Sequence, residues 1–420
     1  MRWLGWVLVL GVWLWSWLPG VAIASEPTTL RVLIGAYEQS VWQPLFREFE
    51  SSHPGVRVEI TLGPTGSSQL SDLYSTSFLV GQSPYDLAYL DVSWTARFAR
   101  AGWLLPLEDR LSPDFGRDFL AGPWQGGQFD DHQYRIPGPR NDMGGLYIRR
   151  DLLAAAGLEP PRSFAELTRI GRDLQQQGQA RWSFLWQGKQ SEGLICDFVE
   201  VLAGFGGQWI DPDSGAIALD QPEAIAAATW LRDTIVAGLS PPGTPNYAEE
   251  DTRRLFENGE AVFMRNWPYV WTLANSPTSR IRDRFDLMPM PRQPGGRSGA
   301  AQGGWGWAIA RSSVHPDAAW ELIDFVSQPQ IQKQVSLAQG YLPTRRSLFR
   351  DPDLQARYPY LERFRPLAEQ TVLRPPVPQY EQLSDILQRQ LNAAISGDRP
   401  VAEAMRQAAR ESRQLLGQTG

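Results

Sequence analysis

Cysteine is almost missing from this 420-residue chain: Cys196 stands alone, so no intrachain disulfide can form and packing must hold the fold. Its setting, Gly193-Leu194-Ile195-Cys196-Asp197-Phe198-Val199, is an apolar helical pattern that reads as a buried, inert thiol rather than a nucleophile. Histidine is nearly as scarce. His53, His132 and His315 lie far apart and none pairs with another at ligand spacing, which argues against a zinc site. Lysine and arginine form no run and the formal charge is −6, so neither nucleic acid nor an anionic membrane surface is an expected partner. No G-x-S-x-G elbow occurs, and Gly63-Pro64-Thr65-Gly66-Ser67-Ser68 lacks the lysine that would meet phosphates. No cofactor or metal is called for. For an enzyme there remain only paired acids, and Glu38, Asp91 and Asp142 keep a glycoside hydrolase open as the alternative reading.

Long apolar runs are confined to the start. Met1-Arg2 is positive, Trp3 to Leu18 is apolar, Pro19-Gly20 breaks the run, and Ala22-Ile23-Ala24 offers a small-x-small cleavage site. The run is shorter than the ~20 residues of a membrane span, so residues 1–24 read as a cleaved signal peptide, with anchoring through an uncleaved leader as the lesser alternative. The mature chain is expected to be exported to the periplasm. Its ~395 residues suit two lobes rather than one core. Tryptophan is what the chain has in excess: there are 18, of which Trp3, Trp6, Trp13, Trp15 and Trp17 belong to the leader. Most of the others should be core, and some should be working surfaces.

Three short apolar strands each run into a polar residue and then a helix. Leu30 to Gly35 reaches Glu38, Val56 to Leu62 reaches Gly63-Pro64-Thr65, and Asp86 to Leu90 reaches Asp91. Alternating strands and helices imply an α/β architecture with mostly parallel sheets, whose ligands sit beyond the carboxyl ends of the strands. Glu38, Thr65 and Asp91 should therefore share one crevice. Ser163-Phe164-Ala165-Glu166 fits a capping box opening a helix to Gln177. Pro137-Gly138-Pro139 marks the expected first crossing between lobes, and Gly303-Gly304-Trp305 the return. Lobe I then takes residues 25–137 and 305–330, and lobe II residues 139–303 and 331–420.

The same crevice should carry flat faces. Asn266-Trp267-Pro268-Tyr269 ends a strand with two aromatics stiffened by proline, and Gly304-Trp305 sets an indole at a flexible glycine. Carboxylates accept hydrogen bonds from vicinal hydroxyls, and indole or phenol rings pack on sugar C–H faces. Arg374, before Pro375-Pro376, offers a fork of donors. A lone tryptophan is more often core than platform, and a lone aspartate more often a solvated cap; position at strand ends is what favours function here.

These residues carry a family resemblance. Asp91-Val92-Ser93-Trp94, Asn141-Asp142-Met143-Gly144-Gly145-Leu146-Tyr147, Glu192-Gly193-Leu194, Phe256 to Tyr269, Gly303-Gly304-Trp305 and Gly340-Tyr341-Leu342-Pro343-Thr344 resemble the solute-binding proteins of ABC sugar importers, maltose/trehalose type. The resemblance implies a hinged, two-lobed type II periplasmic-binding-protein fold, each lobe a mostly parallel sheet flanked by helices. It also implies a monomer without enzymatic activity, whose partners are a small sugar and the transmembrane subunits of an ABC permease. It places ligand contacts at Glu38, Thr65, Asp91, Asp142, Trp267, Tyr269, Gly304, Trp305 and Arg374. Arg140 stands where such proteins often carry an aromatic two residues before the matching aspartate, which favours a smaller or more polar ligand. The expected ligand is a disaccharide or small glucoside, such as trehalose, sucrose, maltose or glucosylglycerol; another polar solute such as glycerol phosphate is the remaining alternative.

Overall fold

The computed structural model describes residues 27–418 except Gln82, so the expected signal peptide lies outside the described residues. Eleven strands are found among them: β1 Thr28–Gly35, β2 Val56–Gly63, β3 Leu87–Asp91, β4 Gln128–Phe129, β5 His132–Gln133, β6 Ile136–Arg140, β7 Gly145–Ile148, β8 Trp182–Leu185, β9 Ala261–Asn266, β10 Asp286–Met288 and β11 Trp305–Ile309. One sheet has the order β2-β1-β3-β11-β6 and the other β10-β7-β9-β8, with β4 and β5 as a separate hairpin. Among the described residues no helix is long and apolar enough to cross a membrane.

The local patterns follow from where each strand sits. β1 and β3 are inner strands covered on both faces, so their apolar residues run almost without a break. β2 is an edge strand and alternates half-buried Val56, Val58 and Ile60 with exposed neighbours. β1 pairs in parallel with β2 along its whole length but with β3 over only two residue pairs. Tyr74 closes the gap: its hydroxyl donates to the Leu33 carbonyl and accepts from Tyr89 N at 2.9 Å. The helix from Phe164 to Gln176 opens on the expected capping box, with Ser163 Oγ accepting from Glu166 N at 3.1 Å. Six of the thirteen described tryptophans are buried in the cores, and the other seven are half-buried against them. Trp42 lies edge-on to Trp307 at 4.8 Å, within the lobe I cluster that also holds Tyr89 and Trp305.

The two α/β lobes are as expected, but their sheets are mixed rather than mostly parallel. β11 runs antiparallel to both β3 and β6, and β7 runs antiparallel to β9 and β10; β8 and β9 are the only parallel pair found in the second sheet among the described residues. The reason is connectivity: β11 and β7 are each reached directly from the other lobe, so they enter their sheets from the opposite end.

The crossings also differ from the expected positions. Pro137-Gly138-Pro139 lies inside β6, an edge strand, where prolines that cannot donate to a ladder are tolerated. The chain leaves lobe I only after Arg140. Between the pairs Trp305–Arg140 and Gly306–Pro137, β6 carries two more residues than β11, a bulge of the kind that re-aims the side chain beyond it. The helix Pro329–Gln339 belongs with lobe I, because Ile331 and Val335 are buried in the lobe I core; lobe II resumes at about Leu342.

The hinge is a buried four-segment seam. Met143 bridges Gln302 in antiparallel fashion, and Gly303 N donates to Asp142 O at 2.8 Å. Asn141 N donates to Leu342 O, and Gln302 N to Val372 O, each at 2.9 Å.

Candidate functional site

The carboxyl ends of β1 and β3 lie at this seam, with Glu38 reaching Arg140 and Val92 N donating to Gly304 O at 3.0 Å. Glu38 follows β1 in a short 3-10 turn and is buried, at 1% exposure. Thr65 follows edge strand β2 and is exposed on its loop, beside the Gly35 end of β1. Asp91 ends β3, where Oδ1 caps the next turn by accepting from Ser93 N at 2.9 Å. Asp142 lies on the outgoing crossing and Trp267 at the end of β9. A Cβ on Gly303 would lie 3.1 Å from Asp142 Cβ and 3.5 Å from the Trp267 ring, so glycine there leaves room for both side chains beside the seam. Gly304 has φ +115°, and a Cβ on it would stand 2.7 Å from the Arg140 carbonyl oxygen.

Arg140 organises the lobe I side. Its Nη1 donates to Glu38 Oε1, its Nε to Asp142 Oδ2 at 2.8 Å, and its Nη1 also to the Tyr37 hydroxyl at 3.3 Å. The guanidinium carbon is 4.9 Å from the ring centre of Tyr341, 5.6 Å from that of Tyr37 and 5.9 Å from that of Trp305. Burial raises the Glu38 carboxyl above its ordinary value, against the pull of Arg140. Burial works against the Arg140 charge, but Asp142, the neighbouring tyrosines and Glu38 outweigh it and keep the guanidinium protonated. Glu38 Oε2 and Asp142 Oδ1 are buried without a hydrogen-bond partner among the described residues.

Arg374 organises the other side. It does not hold its fork open: Nη2 donates to Asp91 Oδ1 at 3.0 Å and Nη1 to Glu192 Oε2 at 2.6 Å. Glu192 opens the lobe II helix Glu192–Gly204, and Tyr380 and Ser384 also donate to it. Asp91, of lobe I, and Glu192, of lobe II, are thereby bridged by one buried cation.

The rings divide between lobes. Trp305 is 5% exposed, stacked on Tyr89 at 5.3 Å and edge-on to Trp94 at 5.2 Å, so only its margin is available to the cleft. Trp267 is half-buried, and one face rests on the Arg265 guanidinium at 4.1 Å. Arg265 is fully buried and paired with Asp197 at 2.8 Å and Glu200 at 2.6 Å, and Glu200 in turn accepts from Ala301 N of the hinge at 3.0 Å. Tyr269 is half-buried and spends its hydroxyl on Glu250 at 2.9 Å.

The structure thus brings Glu38, Asp142, Arg140, Gly304 and Trp305 together, with Trp267 and Asp142 both beside Gly303 and with Asp91 joined to Arg374. Among the described residues, neither Thr65 nor the Tyr269 side chain hydrogen-bonds to that group. Sequence reasoning overlooked Tyr37, Tyr341 and Glu192. An acid in the first turn of a helix reads as a dipole complement, which disguised Glu192, and nothing local distinguishes Tyr341 from a core tyrosine.

With this geometry in hand, comparison with known proteins is informative. The model of the family described as bacterial extracellular solute-binding protein matches residues 35–333. The maltose-bound MalE3 of T. maritima superposes with a TM-score of 0.86 at 35% identity, covering 92% of this chain and all of that one. A probable ABC transporter-binding protein of Deinococcus radiodurans is 31% identical over 253 residues, 58% of this chain and 60% of the relative, so the match spans less than two thirds of that relative's length. A maltotriose-binding protein of Pyrococcus abyssi is 24% identical over 326 residues, 76% of this chain and 66% of the relative. The chain belongs to the bacterial extracellular solute-binding proteins, a family of binders rather than enzymes.

Proposed function

We propose that this protein captures a neutral, hydroxyl-rich solute between its lobes, a disaccharide or small glucoside, and delivers it to the transmembrane subunits of an ABC permease after export. The observation that carries the reading is the convergence at one seam of unpartnered buried carboxylate oxygens, Glu38 Oε2 and Asp142 Oδ1, with the half-buried ring of Trp267. Acceptors for hydroxyls beside a flat face suit a sugar. The maltose of the MalE3 complex and the name of the Pyrococcus relative support the same class.

Charge argues against the glycerol phosphate alternative. Arg140 faces Glu38 and Asp142, and Arg374 faces Asp91 and Glu192, so each cation is already matched by two carboxylates. An anion would meet net negative surroundings. A ligand that touches both lobes stabilises the closed arrangement by its differential affinity for it.

Calorimetry of the purified protein against maltose, trehalose, sucrose and glucosylglycerol, with glycerol 3-phosphate as control, tests the proposal. Binding of at least one neutral sugar and none of the phosphate is expected. Binding of the phosphate alone would overturn it.

A further inference from the structure

The lobes also meet away from the residues described so far. Ser71 lies on the lobe I helix Ser67–Leu79 and Arg97 on the lobe I helix Thr95–Arg100. Glu381 lies in the first turn of the helix Tyr380–Ser396, whose Leu383, Leu387 and Leu391 are buried in the lobe II core. Between the lobes, Arg97 Nη1 pairs with Glu381 Oε2 at 2.5 Å, and Ser71 Oγ donates to Glu381 Oε1 at 2.6 Å. The other terminal nitrogen, Arg97 Nη2, stays within lobe I, donating to Ser71 Oγ at 2.6 Å and to Ser75 Oγ at 2.9 Å. Both carboxylate oxygens and both terminal guanidinium nitrogens are thus taken, and the group keeps no free arm for a sugar.

Its place follows from the order of charges along two segments. In lobe I, Asp91 is followed by Arg97; in lobe II, Arg374 is followed by Glu381. The signs are opposite and the order is the same, so the segments match at both points. The first match lies beside the hinge, where Val92 N donates to Gly304 O and Val372 N to Ala300 O. The second lies on the helices beyond, further along both segments from those hinge contacts. Because its partners belong to different lobes, a rotation that parts the lobes also parts this pair. At 21% and 32% exposure, Arg97 and Glu381 are wet enough to separate without stranding a buried charge, unlike the Arg374 bridge.

Resting on the reading that a sugar is bound by closure of the lobes, we propose that Ser71, Arg97 and Glu381 form a clasp that sets affinity without touching the ligand. It favours the closed arrangement by the same amount whatever lies in the cleft. Its contribution therefore multiplies the affinity for every sugar equally, whereas a residue in contact with the ligand discriminates among sugars.

The experiment compares the natural full-length chain with Glu381→Gln, Arg97→Gln and the double variant, each shown to be folded by its melting temperature. Calorimetry uses maltose, trehalose, sucrose and glucosylglycerol, and small-angle scattering is recorded without sugar. Where the unliganded protein is mainly open, Glu381→Gln is expected to weaken every sugar that binds by about fivefold, equally within about twofold and with the order of preference kept. Where it is mainly closed, the loss shows instead as a larger radius of gyration for the unliganded variant. The double variant is expected to be no weaker than the weaker single one, and losses that simply add overturn the proposal. So does a folded Glu381→Gln with affinities and radius both unchanged, or a loss confined to some of the sugars. If the natural protein binds none of the four, the sugar reading fails by itself, and the unliganded radius alone decides the clasp: a larger one supports it and an unchanged one overturns it.

Discussion

Arg374 Nη2 stands 3.0 Å from Asp91 Oδ1, and this contact crosses from lobe II to lobe I. The other arm of the same guanidinium holds Glu192 of lobe II, so the arginine keeps two carboxylates of opposite lobes from facing each other bare. Removing it should open the protein. Arg374→Ala is expected to cost about 3 kcal/mol of closed-state stability, in keeping with loss of one partner from a buried ion pair. Small-angle scattering should show a larger radius of gyration for the variant than for the natural protein, both without and with ligand. An unchanged radius would mean that other contacts hold the lobes together.

Trp267 is the platform most exposed to test. Trp267→Ala should lower sugar affinity by about 1–3 kcal/mol while leaving the melting temperature nearly unaltered, since the ring is only half-buried. Arg265→Lys keeps the buried charge beneath it but loses the flat fork, and should weaken binding severalfold through the tilt of the indole. In the Trp267→Ala background the Arg265 change should have little further effect on affinity. Equal losses in both backgrounds, measured by calorimetry as a double-mutant cycle, would show that Arg265 does not act through the ring.

Glu38 gives a pH dependence of definite sign. Its carboxyl is raised above the ordinary 4.5, by burial first, with Arg140 opposing. In the free protein, this group's stability contribution is fully present below the unfolded pKa and is lost as pH rises through the folded one. Sugar binding has the opposite preference, because a hydroxyl donates to the ionised form. Affinity should therefore be constant above the raised pKa and fall as pH drops through it, with proton release on binding in that range. Calorimetry in two buffers of different ionisation enthalpy measures the proton count, and proton uptake would contradict the assignment.

Gly304 should tolerate no side chain. Its φ of +115° and the 2.7 Å approach to the Arg140 carbonyl combine conformational strain with a backbone clash. Gly304→Ala is expected to destabilise the fold by about 1–3 kcal/mol or more in urea unfolding, since strained backbone alone costs that order. A loss of a few tenths would indicate that the seam relaxes around the added methyl.

Most of the strand–helix order was readable because it is written locally. β1 and β3 announce themselves by apolar runs, and the helix at Phe164 by its capping box, all within a few residues. β10 spans only Asp286–Met288 and has too short an apolar signal to read. The prolines at 137 and 139 looked like punctuation, because sequence does not reveal that β6 is an edge strand. Within the site, strand-end positions pointed to Glu38, Asp91 and Trp267, whereas the partners that decide their chemistry are remote. Arg140 is 102 residues from Glu38, and Arg374 is 283 residues from Asp91. Pairings of that kind are set by tertiary packing, which leaves no period or spacing in the chain.

The matching of each site arginine with two acids bears on speed as well as selectivity. Each arginine offsets only one of its two acids, so the site keeps a negative excess, but an uncharged cargo does not respond to that field. Under the proposed function, loading is not drawn in from a distance but waits on chance encounters with an open mouth. Uptake in brackish and in dilute surroundings should then begin at the same pace.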